Sequence, residues 1–212
     1  MSVSILIPTY NRKHFSKLIS LNINSQTYPL IKEVIVADDG DEKINLDIQH
    51  TLLYYKVERM SIGEKRNFLK NKASGDYLIH FDTDDFYNPN YISNSVYNLI
   101  KSGKQLSGSS DMIMYDGKST YTQSCIYLNY INEATMCYTK TYSKLHDFKC
   151  KNSSEGLDFC ELKHINQLNI KDIMICLCHK GNTIDKSVWL KDEYKQEIDM
   201  SIYKNHLNLN II

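Results

Sequence analysis

The sequence predicts an α/β fold built on a mainly parallel sheet flanked by helices. Three observations carry that prediction. Apolar segments of strand length recur through the first hundred residues, at Val3–Pro8, Val34–Ala37, Leu52–Val57 and Tyr77–Phe81. Helical patterns alternate with them, and strands alternating with helices imply parallel pairing through right-handed crossovers. Each of the four strands also runs into polar residues, and the carboxyl ends of such strands lie side by side where an open α/β sheet binds ligands.

The elements follow from local signals. After the first strand, Phe15, Leu18, Ile19 and Ile23 form the apolar stripe of a helix. Asp38-Asp39-Gly40 closes the second strand. Ser61 to Lys72 reads as a helix opened by a capping box, Ser61 with Glu64 three residues on. Gly75-Asp76 turns the chain into the fourth strand. Pro89 opens the next helix at a favoured first-turn position, with Ile92, Val96, Leu99 and Ile100 on its core face. From Gly103 to Tyr142 the composition shifts to Tyr, Ser and Thr, with β-like runs at Asp111–Tyr115, Ser124–Leu128 and Glu133–Tyr138 that should cross or cap the first sheet. Lys144–Ser154 reads as loop, Glu155–Ile165 as helix, Ile173–Cys178 as strand and Lys186–Lys204 as a terminal helix. No repeat, linker or low-complexity tract divides the 212 residues, so 1–212 is expected to be one domain with halves at 1–102 and 103–212.

Composition excludes several classes. A net charge of +0 argues against non-specific nucleic-acid binding. No apolar stretch approaches bilayer length, so no membrane span is expected. The N-terminus enters a strand without a charged leader, Ser2 replaces the glycine that myristoylation needs, and no prenylation Cys ends the chain. The six cysteines then read as reduced thiols, which implies a cytoplasmic location. Cys176-Leu177-Cys178-His179 invites a zinc site, but on a strand His179 faces away from both cysteines and no second ligand pair is near.

The fourth strand ends in Asp82-Thr83-Asp84-Asp85. No core accepts such a run without partners. Asp82 and Asp84, two apart on an extended segment, point to one side and can hold a hard cation, Mg²⁺ or Mn²⁺, with positions left for phosphate. A solvated acidic loop is the competing reading. The other strand ends supply complementary groups. Tyr10, within Pro8-Thr9-Tyr10-Asn11-Arg12, can stack on a base, and Asp39 can accept from a ring N–H. Equally, Tyr10 can be packing and Asp38-Asp39-Gly40 a turn. Arg12, Arg59 and Arg66 are the chain's arginines; Arg12 and Arg59 follow strand ends, and Arg66 lies on the next helix. Arg offers a bidentate fork to phosphate that Lys cannot copy, so Arg66 is expected to face the nucleotide or its diphosphate.

Four blocks together resemble the family 2 glycosyltransferases of GT-A fold. They are Ser4 to Arg12, Val34 to Gly40, Gly63-Glu64-Lys65-Arg66-Asn67, and Ala73 to Tyr77 running into Asp82–Asp85. Their order and spacing match over about the first hundred residues. The resemblance implies a Rossmann-like mixed sheet, a nucleotide-sugar-binding half at 1–102 and an acceptor and catalytic half at 103–212. It implies that Thr9, Tyr10, Asn11 and Asp39 hold the base and ribose. The Asp-X-Asp motif would place Asp82 toward ribose and metal and Asp84 on the metal. A late histidine, His179, would complete the metal site, with Lys180 and Asn182 reaching the diphosphate. The catalytic base implied near a helix start is Glu155 first and Asp158 second, since Gly156 stands where the family has an acid.

The activity so implied is metal-dependent, inverting transfer of a hexosyl-type sugar from a nucleotide diphosphate, UDP before GDP, to an acceptor hydroxyl. The acceptor, whether glycan, glycoprotein or lipid-linked, is not readable, and the chain is compatible with being one domain of a larger transferase. The Tyr-rich stretch Tyr115–Tyr142 is either an acceptor platform or ordinary strand composition. A sugar-nucleotide nucleotidyltransferase would share the sheet and metal but should show a Gly-rich phosphate loop, and Pro8–Arg12 has no glycine. A non-catalytic sugar-nucleotide or glycan-binding module is the other alternative, favoured by Gly156.

Overall fold

Strand β1 (Val3–Thr9) is buried at all seven positions, as expected of a parallel strand covered on both faces. It pairs in parallel with β2 (Ile31–Asp38) on one side and β4 (Tyr77–His80) on the other, and β2 pairs in parallel with β3 (Leu52–Lys56). The computed structural model describes residues 1–124 and 129–209. Beyond β4 the sheet continues through strands of the second half, β6 (Leu106–Gly108), β9 (Cys137–Thr139) and β10 (Ile165–Gln167). The order is β10-β6-β9-β4-β1-β2-β3, with β9 antiparallel to both β4 and β6. A four-stranded sheet stands beside it, formed by β5 (Phe86–Tyr87), β11 (Met174–Leu177), β7 (Met112–Tyr115) and β8 (Thr120–Gln123) in that order.

Strand alternation sends neighbouring side chains to opposite faces. Ile5, Ile7, Val34 and Val36 join Leu18 and Ile19 of α1 (Ser16–Asn24) and Ile92 and Val96 of α3 (Tyr91–Ser102) in one core. Leu6, Ile35, Ala37 and Leu78 join Leu69 of α2 (Ile62–Lys72), Phe148 and Phe159 in a second. The capping box forms as expected, with the Ser61 hydroxyl accepting the Glu64 N–H and the Glu64 carboxylate accepting the Ser61 N–H.

Several expectations are corrected. Asn90 is the N-cap of α3, so Pro89 precedes the helix, and Ile100 is 48% exposed because the buried face runs through Ile92, Ser95, Val96 and Leu99. Residues 133–135 form a 3-10 turn ahead of β9. The Ser124–Leu128 strand falls mostly on 125–128, outside the described residues, and β8 ends just before it. Glu155–Ile165 is not a helix. Residues 155–159 are turns that bring Phe159 onto Phe148, with ring centroids 4.0 Å apart, and Ile165 leaves to pair with Leu106. Lys186–Lys204 is not a helix either, because Lys195 bridges to Tyr121 and the Gln196 N–H bonds Thr120, removing backbone groups a helix needs. Three 3-10 turns and a single-turn helix at Lys204–Leu207 replace it. Of the tyrosines proposed as a platform, Tyr121, Tyr138 and Tyr142 are core residues.

The acidic run connects β4 of the first sheet to β5 of the second. Asp82–Asp85 therefore lies at the joint between the two sheets.

Candidate active site

A cavity of about 440 Å³ opens at the carboxyl ends of β1 and β4. Pro8, Thr9, Tyr10 and Arg12 line it from the end of β1, and Asp82 to Asp85 from the end of β4. Arg59, Lys65 and Arg66 border it from the β3–α2 link and α2, so all three arginines of the chain share this cavity. The second half contributes Glu133, Glu155, Asn182 and Lys186.

At the β1 end, the Arg59 guanidinium lies over the Tyr10 ring, 3.6 Å from its centroid. Arg59 Nη1 also pairs with Asp39 Oδ2 at 2.9 Å. The Asp39 carboxylate has no exposed surface and is held further by the Lys65 ammonium and the Met60 N–H. Burial alone would push its carboxyl up, yet those donors hold it below the ordinary range. Asp39 thus anchors Lys65 and Arg59 and does not itself line the cavity. Lys65 also donates to the Thr9 carbonyl at 2.9 Å, while the buried Thr9 hydroxyl has no hydrogen-bond partner among the described residues. Asn11 turns away. At φ +51° it exchanges hydrogen bonds with Asp41, its Nδ2 donating at 3.0 Å and its Oδ1 accepting at 2.7 Å. Gly40 is required by this loop, since a Cβ there would stand 2.5 Å from Asn11 N. Asp38 ends β2, its carboxylate accepting from the Gly40 N–H and the Tyr54 hydroxyl.

Arg66 is a buried hub. Its Nε donates to Glu155 Oε1 at 2.9 Å, its Nη2 to Asp82 Oδ1 at 3.2 Å, and its Nη1 lies 3.0 Å from His80 Nδ1. The expected free fork for phosphate is therefore already occupied. Burial and the adjacent guanidinium keep the His80 imidazole neutral, well below its usual range. Glu155 borders the cavity, and Ser154 before it turns the chain at φ +51°. Asp158 does not reach the cavity; it is exposed and pairs with Lys149 at 3.0 Å. Sequence reasoning missed Glu133, which accepts from the Tyr130 hydroxyl at 2.6 Å and the Gly156 N–H at 2.9 Å. Burial and the neighbouring Glu155 charge push its carboxyl up.

Asp84 and His179 meet as expected, with Asp84 Oδ2 3.1 Å from His179 Nε2. The Gly181 N–H faces His179 Nδ1 at 3.1 Å, and a cation bound at Nε2 would require the ring proton to sit on Nδ1 in place of that contact. Burial raises Asp84, but His179, Arg12 and Lys186 outweigh it and hold the carboxyl below its usual range. Arg12 Nη2 lies 3.4 Å from the same oxygen and donates to the Gly181 carbonyl at 2.6 Å. Asn182 packs its side-chain amide 3.0 Å from His179 Nε2, and Lys180 is exposed and outside the cavity. Asp85 is structural, its Oδ1 accepting the Leu177 N–H of β11 at 3.0 Å and burial raising its carboxyl to about 7.

Among the described residues, no group of three or more His, Cys, Asp and Glu surrounds a common point. Asp84 and His179 nevertheless fit a divalent cation. Adjacent ligands of an octahedral ion with bonds of 2.0–2.1 Å stand about 3 Å apart, as this pair does. The carboxylate suits a hard cation such as Mg²⁺ or Mn²⁺, and the imidazole admits a transition metal.

The sequence profile of the Glycosyl transferase family 2 matches residues 4–156. The chain belongs to that family. This family 2 glycosyltransferase is 28% identical over 97 residues to Glycosyltransferase GlyA of Streptococcus pneumoniae, a match covering 42% of this chain and 14% of that protein. Among solved structures, S. aureus TarS 1-349 in complex with UDP-GlcNAc superposes with a TM-score of 0.67 at 17% identity, over 86% of this chain and 60% of that one. The mannosyltransferase PcManGT from Pyrobaculum calidifontis, in complex with GDP-Man and Mn²⁺, superposes with a TM-score of 0.61 at 14% identity, over 85% and 58%. These likenesses establish the GT-A fold. Matched segments span 14–36% of the lengths of the curated relatives.

Proposed function

We propose that the chain is a GT-A catalytic domain that moves a sugar from a nucleotide diphosphate, UDP before GDP, to an acceptor hydroxyl with inversion, using Mn²⁺ or Mg²⁺. One observation carries this reading. A single cavity is bordered by the aromatic strand end with Tyr10, the Asp82-Thr83-Asp84 turn, and carboxylates from the second half. Tyr10 supports the base, and the unpartnered Thr9 hydroxyl awaits an acceptor on the ligand. Arg59, with a 60% exposed side chain, swings off Tyr10 to admit the base and uncovers an Asp39 oxygen for a ring N–H. Asp82 faces the ribose, while Arg12, Lys186 and Asn182 border the diphosphate. Asp84 and His179, with Asp82 beside them, hold the cation, which would neutralise the charge developing on the leaving diphosphate.

The acceptor is a glycan, glycoprotein or lipid-linked saccharide, and the matched share of longer relatives favours further domains in the working protein. No helix among the described residues is long and apolar enough to cross a membrane. The test is a panel of UDP- and GDP-sugars with Mn²⁺, scored for release of nucleotide diphosphate. Metal-dependent release from one donor supports the reading. Tight nucleotide binding without release from any donor would make the site a binding module, and pyrophosphate exchange with a nucleoside triphosphate would make it a nucleotidyltransferase.

A further inference from the structure

Two carboxylates of the second half border the cavity, Glu133 and Glu155, and they are differently held. Glu155 is ion-paired with the buried, permanently charged Arg66. Among the described residues Glu133 has no ion-pair partner within 4.0 Å; its contacts are the neutral donors Tyr130 Oη and Gly156 N. Gly156 shows why Glu133 reaches this point. A Cβ at position 156 would stand 2.8 Å from Glu133 Cγ and 2.9 Å from Glu133 Oε1. Glu133 therefore places its carboxylate in the space that a side chain at 156 would occupy.

We infer that Glu133, rather than Glu155, is the group that takes the proton from the acceptor hydroxyl. The inference rests on the transferase reading above. A general base must have appreciable proton affinity. Arg66 Nε already occupies Glu155 Oε1 at 2.9 Å, so that oxygen is not free to receive the acceptor proton. Among the described residues Glu133 makes no ion pair with Arg66, and its burial beside Glu155 raises its carboxyl, outweighing the lowering by the Tyr130 hydroxyl and the more distant Arg66 charge. In the step, the acceptor O–H proton passes to a Glu133 carboxylate oxygen as the acceptor oxygen bonds the anomeric carbon. The bond from that carbon to the diphosphate oxygen breaks, and its electron pair leaves with the nucleotide diphosphate. Glu155 and Arg66 act as positioning residues.

Donor hydrolysis tests this, with water standing for the acceptor and release of nucleotide diphosphate as the readout. Glu133→Gln should lower kcat at least about 100-fold while donor affinity and melting temperature stay close to wild type. Glu155→Gln should act mainly on donor affinity and thermal stability. The pair Glu133→Ala and Glu133→Ala/Gly156→Asp checks placement directly. An Asp at 156 enters the vacated space, and the double variant should recover at least about tenfold over Glu133→Ala. Glu133→Gln turning over at the wild-type rate overturns the assignment, as does a double variant no better than Glu133→Ala. A wild-type chain that releases no nucleotide from any sugar nucleotide overturns the transferase reading itself, and this inference with it.

Discussion

Arg66 Nε donates to Glu155 Oε1 at 2.9 Å, tying helix α2 to a turn 89 residues later. The same guanidinium holds Asp82 from the β4 end. One buried cation thus sets the spacing between the Asp-X-Asp turn and the second-half wall of the cavity. Arg66→Leu leaves two carboxylates without their partner in a buried setting and should destabilise the fold by about 3–5 kcal/mol. Urea unfolding of the variant against wild type measures this, and Arg66→Lys, which cannot span three acceptors, should recover only part of the loss.

Tyr10 and Arg59 make a second prediction. Tyr10→Ala removes the ring that supports the base and should weaken UDP binding by about 1–3 kcal/mol, the range of a base–aromatic stack. Tyr10→Phe should bind as wild type does. Titration calorimetry with UDP decides between them, and equal affinity for all three proteins would place the base elsewhere.

Chelation should suppress turnover, and added Mn²⁺ should restore it. Asp84→Ala removes the oxygen that faces His179 Nε2 at 3.1 Å, so Mn²⁺ should no longer restore activity or raise the melting temperature. His179→Ala should shift the Mn²⁺ concentration needed for half activity upward by about tenfold or more.

Buried histidines predict the acid response. His206 is buried with Nε2 2.9 Å from Asn22 Oδ1 and, among the described residues, no partner for Nδ1, and burial lowers its pKa from 6.5 to about 4. Between those values the unfolded chain binds a proton that the folded chain does not, so this contribution is complete above pH 6.5 and lost as pH falls toward 4. The loss amounts to about 3 kcal/mol at 1.36 kcal/mol per unit. His80 acts in the same direction. Asp85, raised to about 7 by burial, acts in the opposite one, because the folded state then binds the extra proton. The check is therefore differential: His206→Gln should lose less stability than wild type between pH 7 and 4 in urea titrations.

Much of this was legible because the signals were local. The strands β1, β2 and β4 show themselves as apolar runs, Ser61 and Glu64 announce the start of α2, and Asp82–Asp85 stand out as acids no core accepts. Spacing also linked Asp84 to its sheet end, and the resemblance named His179, which the turn after β11 brings within 3.1 Å of it. What stayed hidden depends on distant contacts. Lys195 and Gln196 look helical until Tyr121 and Thr120 take their backbone groups. Asp39 reads as an exposed acceptor until Lys65 and Arg59 close over it. Glu133 carries no local mark, since its role is defined by the absence of a side chain at Gly156. His80 had one unused signal: it lies two residues before Asp82 and so faces the same side, toward Arg66.

The three arginines are the entire guanidinium content of the chain, and all border one cavity. Every other fixed cation is a lysine. A ¹⁵N spectrum tuned to arginine Nε–H groups would therefore contain three correlations, each reporting on a different part of the cavity: Arg59 on the aromatic strand end, Arg12 on the Asp84–His179 pair, and Arg66 on the carboxylate bridge. Titrating nucleotide, cation and acceptor in turn would show which part each ligand touches, without labelling a single residue by mutation.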